Sequence, residues 1–237
     1  MDSPSSKLIA IATYNELENL PDLVARLRKS VPSAEILIVD DNSPDGTPEW
    51  LLKNASSDFH SIIRKGKLGL GSATKEAFQF GLEKNYTLIA TMDADFSHSP
   101  EDLPRLFERI EQPDFPDIVI GSRYIQGGAI EGWSRFRRIA SWLINLETRW
   151  MLWLKSKDNS GAFRVYRTEA LRKLPISAVR ANGYGYLQET LYRMGRQGAT
   201  VAEVPITFRD RERGQSKISF AESVKAAWNI LTLRFRS

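Results

Sequence analysis

The feature that most narrows the folds open to this chain is an alternation. Short apolar, β-branched runs at residues 7–12 (KLIAIA), 35–39 (EILIV), 59–64 and 86–91 are separated by segments with helical spacing. In residues 17–31 the apolar positions Leu17, Leu20, Val24, Leu27 and Val31 recur at that spacing, with Pro21 near the first turn and Pro32 past the end. Thr47-Pro48-Glu49 opens a short helix with Thr as N-cap and Pro at the first helical position. Residues 72–84 form a third helix with Ala73, Ala77, Phe80 and Gly81 inward. The order β-α-β-α-β-α-β predicts an α/β fold, a mixed and mostly parallel sheet flanked by helices, to which residues 117–121 (DIVIG) add a strand.

Acidic residues cluster where these strands end: Glu16 after the first, Asp40 and Asp41 after the second, Asp93 and Asp95 after the fourth. In a parallel sheet those ends share one rim, where open α/β sheets take their ligands. Alternation along an extended segment predicts that Asp93 and Asp95 face one spot. Two close carboxylates resist joint ionisation unless a cation offsets them, and a hard divalent ion with a substrate diphosphate fits. An acidic turn explains each residue taken singly; the three strand ends together favour a nucleotide-diphosphate and metal site. Ser99-Pro100-Glu101-Asp102 then reads as a helix start with Ser99 as N-cap. No GxxxxGK[ST] or GxGxxG loop occurs, and residues 65–71 (KGKLGLG) either hug a ligand or simply turn.

After Gly121 the pattern changes. Residues 123–138 read as a loop, and 139–154 as a helix carrying Trp142, Trp150 and Trp153, its polar residues Ser141, Asn145, Thr148 and Lys155 on one stripe. Residues 162–166 and 199–208 are strand candidates around a helix at 186–196, and 209–217 is a charged loop. A capping box at Ser219–Glu222 opens a last helix with Phe220, Val224, Trp228, Leu231 and Phe235 on its apolar face. With no repeat and no linker-like break, residues 1–237 read as a single domain with a short tail at 1–6.

The absence of Cys excludes a disulfide framework, a thiolate nucleophile and Cys-ligated metal. No segment reaches the roughly 20 apolar residues that span a bilayer. A net charge of +4 and a pI of about 9.3 suit anionic ligands or an anionic membrane surface. No recognisable nucleic-acid-binding motif accompanies the basic residues, so nucleic acid is not expected as a partner.

Five motifs, VDDNSPDGT (39–47), MDADFSHSPEDLP (92–104), GSRYIQGG (121–128), SGAFRVY (160–166) and RERGQSK (211–217), resemble in order those of the polyprenol-phosphate (dolichol-phosphate) mannose synthases of glycosyltransferase family 2. The resemblance runs from about residue 9 to residue 217. It implies a GT-A (Rossmann-like) fold and inverting transfer of mannose from GDP-mannose to a polyprenyl phosphate, assisted by Mg²⁺ or Mn²⁺. It divides the chain into a nucleotide-sugar-binding half (7–125), an acceptor-binding half (126–217) and a C-terminal amphipathic helix (218–237). Position by position, it assigns Ala12, Tyr14, Glu16, Val39, Asp41 and Ala94 to the donor, and Asp93 and Asp95 to the metal. Arg123, Arg211 and Lys217 fall to the phosphates, with Asp95 counted among the catalytic groups, and Arg137 and Ser141 to the acceptor phosphate. Glu189 fits the pattern, whereas Leu187 stands where the family has Gln. Ala12 replaces a Pro, and Ser97 stands where some members place a metal-binding Gln, so a hydroxyl or water would complete the shell.

A phosphate monoester has its second pKa near 6, so such an acceptor needs no strong protein base. What needs help is bringing two anionic phosphates together and carrying charge on the departing diphosphate. The resemblance also implies a cytoplasmic protein, peripheral on the cytosolic face of a membrane and recruited by a small membrane-anchoring subunit. The Trp-rich helix and the C-terminal helix are the segments expected on the lipid, since Trp and Arg favour that interface. Another sugar nucleotide, or a non-catalytic nucleotide-sugar-binding subunit, are the alternatives these residues leave open.

Overall fold

The computed structural model describes residues 6–181, 183 and 185–210. Strands β1 (Lys7–Thr13), β2 (Ala34–Asp40), β3 (Phe59–Ile63) and β4 (Leu88–Asp93) alternate with helices α1 (Leu20–Ser30), α2 (Thr47–Lys53) and α3 (Leu70–Glu83). Then come α4 (Leu103–Ile110), β5 (Ile118–Ser122), β6 (Ala129–Glu131), α5 (Arg135–Leu152), β7 (Arg164–Arg167), α6 (Thr168–Lys173), α7 (Gly185–Arg196), β8 (Val201–Pro205) and β9 (Thr207–Arg209). Seven strands form one sheet in the order β3-β2-β1-β4-β7-β5-β8, and β6 pairs with β9 in a small second sheet. Among the described strands only β7 runs antiparallel, wedged between β4 and β5; the other described pairs are parallel.

Alternation along the strands builds the two faces. Ile9 and Ile11 point to α1 and α4, meeting Leu20, Leu23, Leu27, Leu103, Leu106 and Phe107. Leu8 and Ala10 point the other way, toward Ala73, Ala77 and Phe78 of α3 and Tyr186, Leu191 and Met194 of α7. Both faces of the strands are therefore buried, as a parallel sheet covered by helices requires. Within α3 the large inward residue is Phe78 rather than Phe80, which lies partly buried against His60 and Tyr86. Fully burying a side chain such as Phe78 contributes about 2–3 kcal/mol.

Three local expectations change. Thr47 is the first residue of α2 rather than its N-cap, a position held by Gly46, and Asp45 Oδ1 ahead of it accepts from Thr47 N at 3.1 Å and Thr47 Oγ1 at 2.7 Å. Ser99 precedes a 3₁₀ turn (Pro100–Asp102), and its hydroxyl donates to Glu101 instead of capping. α5 begins four residues before the expected start, because Ser134 Oγ accepts from Arg137 N at 3.3 Å.

The stretch expected as loop before α5 also holds β6. To reach β9, the chain doubles back over its own backbone at Gly128. A Cβ there would lie 2.6 Å from Ser122 O and 2.8 Å from Arg123 C, so only glycine allows the approach.

Candidate active site

The chain's order along the sheet reverses between β1 and β4, which makes that crevice the topological switch point. A cleft of about 180 Å³ opens there. Seven of the expected residues line it: Ala12 near the end of β1, Tyr14 and Glu16 just past it, Asp41 beyond β2, and Asp93, Ala94 and Asp95 at the end of β4. The glycine-rich loop contributes Lys67, Gly69 and Leu70, and Gly183 lines the cleft from the second half of the chain. Lys67, in the loop expected either to hug a ligand or to turn, places its ammonium 4.1 Å from the centre of the Tyr14 ring.

The adjacent aspartates after β2 separate in role. Asp40 is fully buried and accepts from Thr13 Oγ1 at 3.0 Å and Ser43 N at 2.8 Å, so it fastens the turn rather than facing a ligand. Asp41 accepts from the backbone N–H groups of Leu68 and Gly69 at 3.1 and 2.8 Å, shaping the glycine loop. Its other oxygen lies 3.1 Å from Arg64 Nη1, so a buried guanidinium supplies this carboxylate's counter-charge. Val39 is 1% exposed within the sheet core and does not line the cleft, since alternation in β2 turns it toward α3.

Asp93 and Asp95 do meet at one cleft, though not by strand alternation. β4 ends at Asp93 and the chain bends at once, with Phe96 at φ +59°, a left-handed conformation costly for a bulky residue. Ser97 folds back in that bend: its N–H donates to Asp95 Oδ1 at 3.1 Å and its hydroxyl donates to the same oxygen. Buried at 2% exposure and absent from the cleft lining, Ser97 braces Asp95 and does not offer its hydroxyl to a cation.

Behind Asp93 stands His98, whose Nδ1 accepts from Asp93 N at 3.4 Å and whose ring stacks on Phe163. Burial, helped by the Arg123 charge, holds its pKa down at about 4 against the pull of Asp95 and Asp158. The donor set facing the cleft is thus oxygen only. Among the described residues no group of three His, Cys, Asp or Glu side chains gathers to hold an ion by itself. Two carboxylates with no soft ligand fit a hard divalent ion that also takes oxygens from a bound diphosphate.

Arg123 is not an open phosphate clamp. Asp158, fully buried, accepts from its Nε and Nη2 at 2.7 Å each and from its backbone N at 3.0 Å, while Nη2 also donates to Ser160 Oγ at 2.8 Å. Burial disfavours both charges, yet the pairing outweighs it, raising the pKa of Arg123 and lowering that of Asp158. Arg137 pairs with Asp210 at 3.1 Å in a half-exposed bridge, and its guanidinium lies 4.0 Å from the centre of the Trp133 ring. Ser141 Oγ accepts from Tyr124 Oη at 2.7 Å.

Glu189, expected at the ligand, instead sits buried on α7, accepting from Arg180 N and Ala181 N and from Arg193 Nε. It braces the segment that leads to Gly183. Arg211, Lys217 and the C-terminal helix lie outside the described residues.

α5 is turned inside out. Its buried residues are Asn145, Thr148 and Leu152, while Phe136, Ile139, Trp142, Leu143 and Trp150 point outward, with Trp153 just past the helix end. Trp150 and Trp153 are 75% and 79% exposed. Asn145 joins the helix to the body: Nδ2 donates to Ser160 Oγ at 3.0 Å, and Oδ1 accepts from Asn159 N at 2.7 Å. No helix among the described residues is long and apolar enough to cross a membrane.

Residues 8–175 match the family described as glycosyl transferase family 2. The chain is 44% identical over 225 residues to an undecaprenyl-phosphate mannosyltransferase of Micrococcus luteus, covering 94% of this chain and 91% of that one. It is 39% identical over 226 residues to a polyprenol monophosphomannose synthase of Mycolicibacterium smegmatis, covering 94% and 84%. In fold it is similar to glucosyl-3-phosphoglycerate synthase of Mycobacterium tuberculosis, solved with Mn²⁺, UDP and glucosyl-3-phosphoglycerate (TM-score 0.66, 16% identity, covering 97% and 78%). It is also similar to the Pyrobaculum calidifontis mannosyltransferase PcManGT, solved with GDP-Man and Mn²⁺ (TM-score 0.61, 14% identity, covering 98% and 64%). These fold relatives match the mixed, mostly parallel sheet.

Proposed function

The chain belongs to glycosyl transferase family 2, and from that premise we propose that it moves mannose from GDP-mannose to a polyprenyl phosphate, inverting the sugar C1. The observation that carries this reading is convergence. Residues scattered over the first 95 positions, each matched to a donor or metal role by motif, line one cleft at the switch point of the sheet.

In this reading the guanosine diphosphate lies along Tyr14, Glu16 and Asp41, and the mannose reaches toward Ala94. Asp93 and Asp95 would hold Mg²⁺ or Mn²⁺. When bound, the ion stabilises negative charge on the departing diphosphate. Ser97 keeps Asp95 turned to the cleft, and the neutral His98 adds no competing positive charge behind Asp93. An oxygen of the lipid phosphate, already a dianion at neutral pH, forms the new bond to C1 as the bond from C1 to the diphosphate oxygen breaks. The leaving GDP keeps the electron pair. Arg137 and Ser141 receive the acceptor phosphate. Arg211 and Lys217, assigned by motif alone, offset charge on the diphosphate.

The lipid tail needs a surface to approach from. The outward Trp and Phe of α5, with exposed Arg135, Arg138 and Arg149 among them, suit an anionic bilayer surface, so the protein works as a peripheral membrane enzyme on the cytosolic face. A small anchoring subunit is compatible with this arrangement.

The test is incubation with labelled GDP-mannose, UDP-glucose and UDP-N-acetylglucosamine, each with polyprenyl phosphate and Mg²⁺ or Mn²⁺. Mannose-dependent, metal-dependent label should enter the organic phase. Label from another donor alone would replace the sugar assignment, and none from any donor would overturn the transfer.

A further inference from the structure

Asp158, just before the motif at residues 160–166, carries no assignment from it. It sits in the turn before β7, fully buried, and takes four hydrogen bonds: three from Arg123 and one from Gly161 N at 3.0 Å. The turn is itself fixed from two sides. Glu203 of β8 accepts from Lys157 N at 2.9 Å and Asp158 N at 3.0 Å, and the fully buried Arg164 donates from Nη2 to Asn159 O at 2.9 Å.

What this turn immobilises is a guanidinium seated among the Tyr124, Trp133 and Phe208 rings. On one side Arg123 lies within electrostatic reach of Asp93. On the other it shares the Trp133 ring with Arg137, at 5.8 and 4.0 Å from the ring centre, while the next residue, Tyr124, donates to Ser141. An unrestrained arginine in this place would swing onto Asp93 and compete with a cation for that carboxylate. Asp158 prevents this by occupying Nε and Nη2, and Nη1 has no partner among the described residues. The pairing is also lasting. Arg137's partner Asp210 is half-exposed and can be exchanged for a phosphate, whereas Asp158 has no route to water.

We propose that Asp158 is a positioning residue, which fixes Arg123 so that its remaining edge meets the acceptor phosphate rather than the metal-binding carboxylates. This rests on the reading of transfer to a lipid phosphate.

The experiment measures KM for polyprenyl phosphate and for GDP-mannose separately, in the wild type, Asp158→Asn, Arg123→Gln and the double variant. Hydrogen bonds to charged groups are worth enough that Asp158→Asn should raise the acceptor KM by about 10- to 100-fold, with the donor KM within about 2-fold. The double variant should be no worse than Arg123→Gln alone, since Asp158 acts through that residue. A fold defect alone would lower the active fraction and hence kcat, moving neither KM. Should Asp158→Asn fold poorly, Ser160→Ala removes one Arg123 bond, together with the Asn145 bond to the same oxygen, and should raise the acceptor KM by about 3- to 10-fold. An unchanged acceptor KM in the folded variants, or losses that multiply in the double variant, would overturn the proposal. A wild type that labels no lipid would instead refute the transfer reaction itself.

Discussion

The donor rim and the α5 flank are built with opposite polarity. At the rim, apolar strands fill the interior and polar residues appear only where the strands run out, at Tyr14, Asp41, Asp93 and Asp95. At the flank, Asn145 and Thr148 are buried while Phe136, Trp142 and Trp150 face outward. The flank keeps an ordinary helical period; only the side that is buried is reversed. An amphipathic pattern therefore locates a face, and what lies against that face decides whether it is inside.

The comparison breaks most easily at the rim. Asp95→Asn should lower turnover on the order of 10³-fold, the several kcal/mol expected of an ion at a developing charge, with the thermal midpoint nearly unchanged. Wild-type turnover in that variant would strip the rim of its metal role.

Next in size is the flank's outer face. If each outward ring adds roughly 1 kcal/mol of interfacial binding, replacing Trp142, Trp150 and Trp153 together by Ser weakens binding to anionic vesicles by about 100-fold. Co-sedimentation measures it, and equal pelleting of variant and wild type would show the face to be idle.

The sign reversal itself is tested by a pair of swaps read in denaturant titrations. Asn145→Leu should cost about 2 kcal/mol, because it orphans the buried Asn159 N–H. Leu143→Asn, on the outer side, should fall within about 0.5 kcal/mol. Equal costs would mean the helix is not inverted.

Smallest is a polar fastener placed in water. The Arg26 guanidinium holds the Glu101 carboxyl at about 2, so the pair's contribution is present above the ordinary value of 4.5 and fades as pH falls from there through about 2. Both side chains are roughly half exposed, so less than about 1 kcal/mol is at stake. Glu101→Gln should flatten that part of the stability curve, and an unaltered slope would mean the pair contributes nothing.

Much of the rim was legible because strand ends are local events: an apolar run that stops at Asp93 announces its own edge. Asp95 reached the cleft for a reason alternation does not contain, the left-handed bend at Phe96. Ser97, which departs from the family's Gln, and Glu189, which fits its pattern, turn their side chains to Asp95 and to the 180–181 backbone, partners set by tertiary packing. Asp158 had no periodic signal at all. In the run Lys157-Asp158-Asn159-Ser160-Gly161 it looks like turn chemistry, and only the return of β7 beside β5 brings Arg123 to it.

The seat of α5 has a consequence for what solvent can do to it. Oily contacts between a helix and its protein can be exchanged for acyl chains at little cost, so a helix fastened that way is easily peeled off by lipid. Asn145, gripped by Asn159 and Ser160, is fastened by a currency hydrocarbon does not carry. As water thins out around it, such a bond tightens. Moving from open water to a bilayer surface should make this helix more firmly attached, not less.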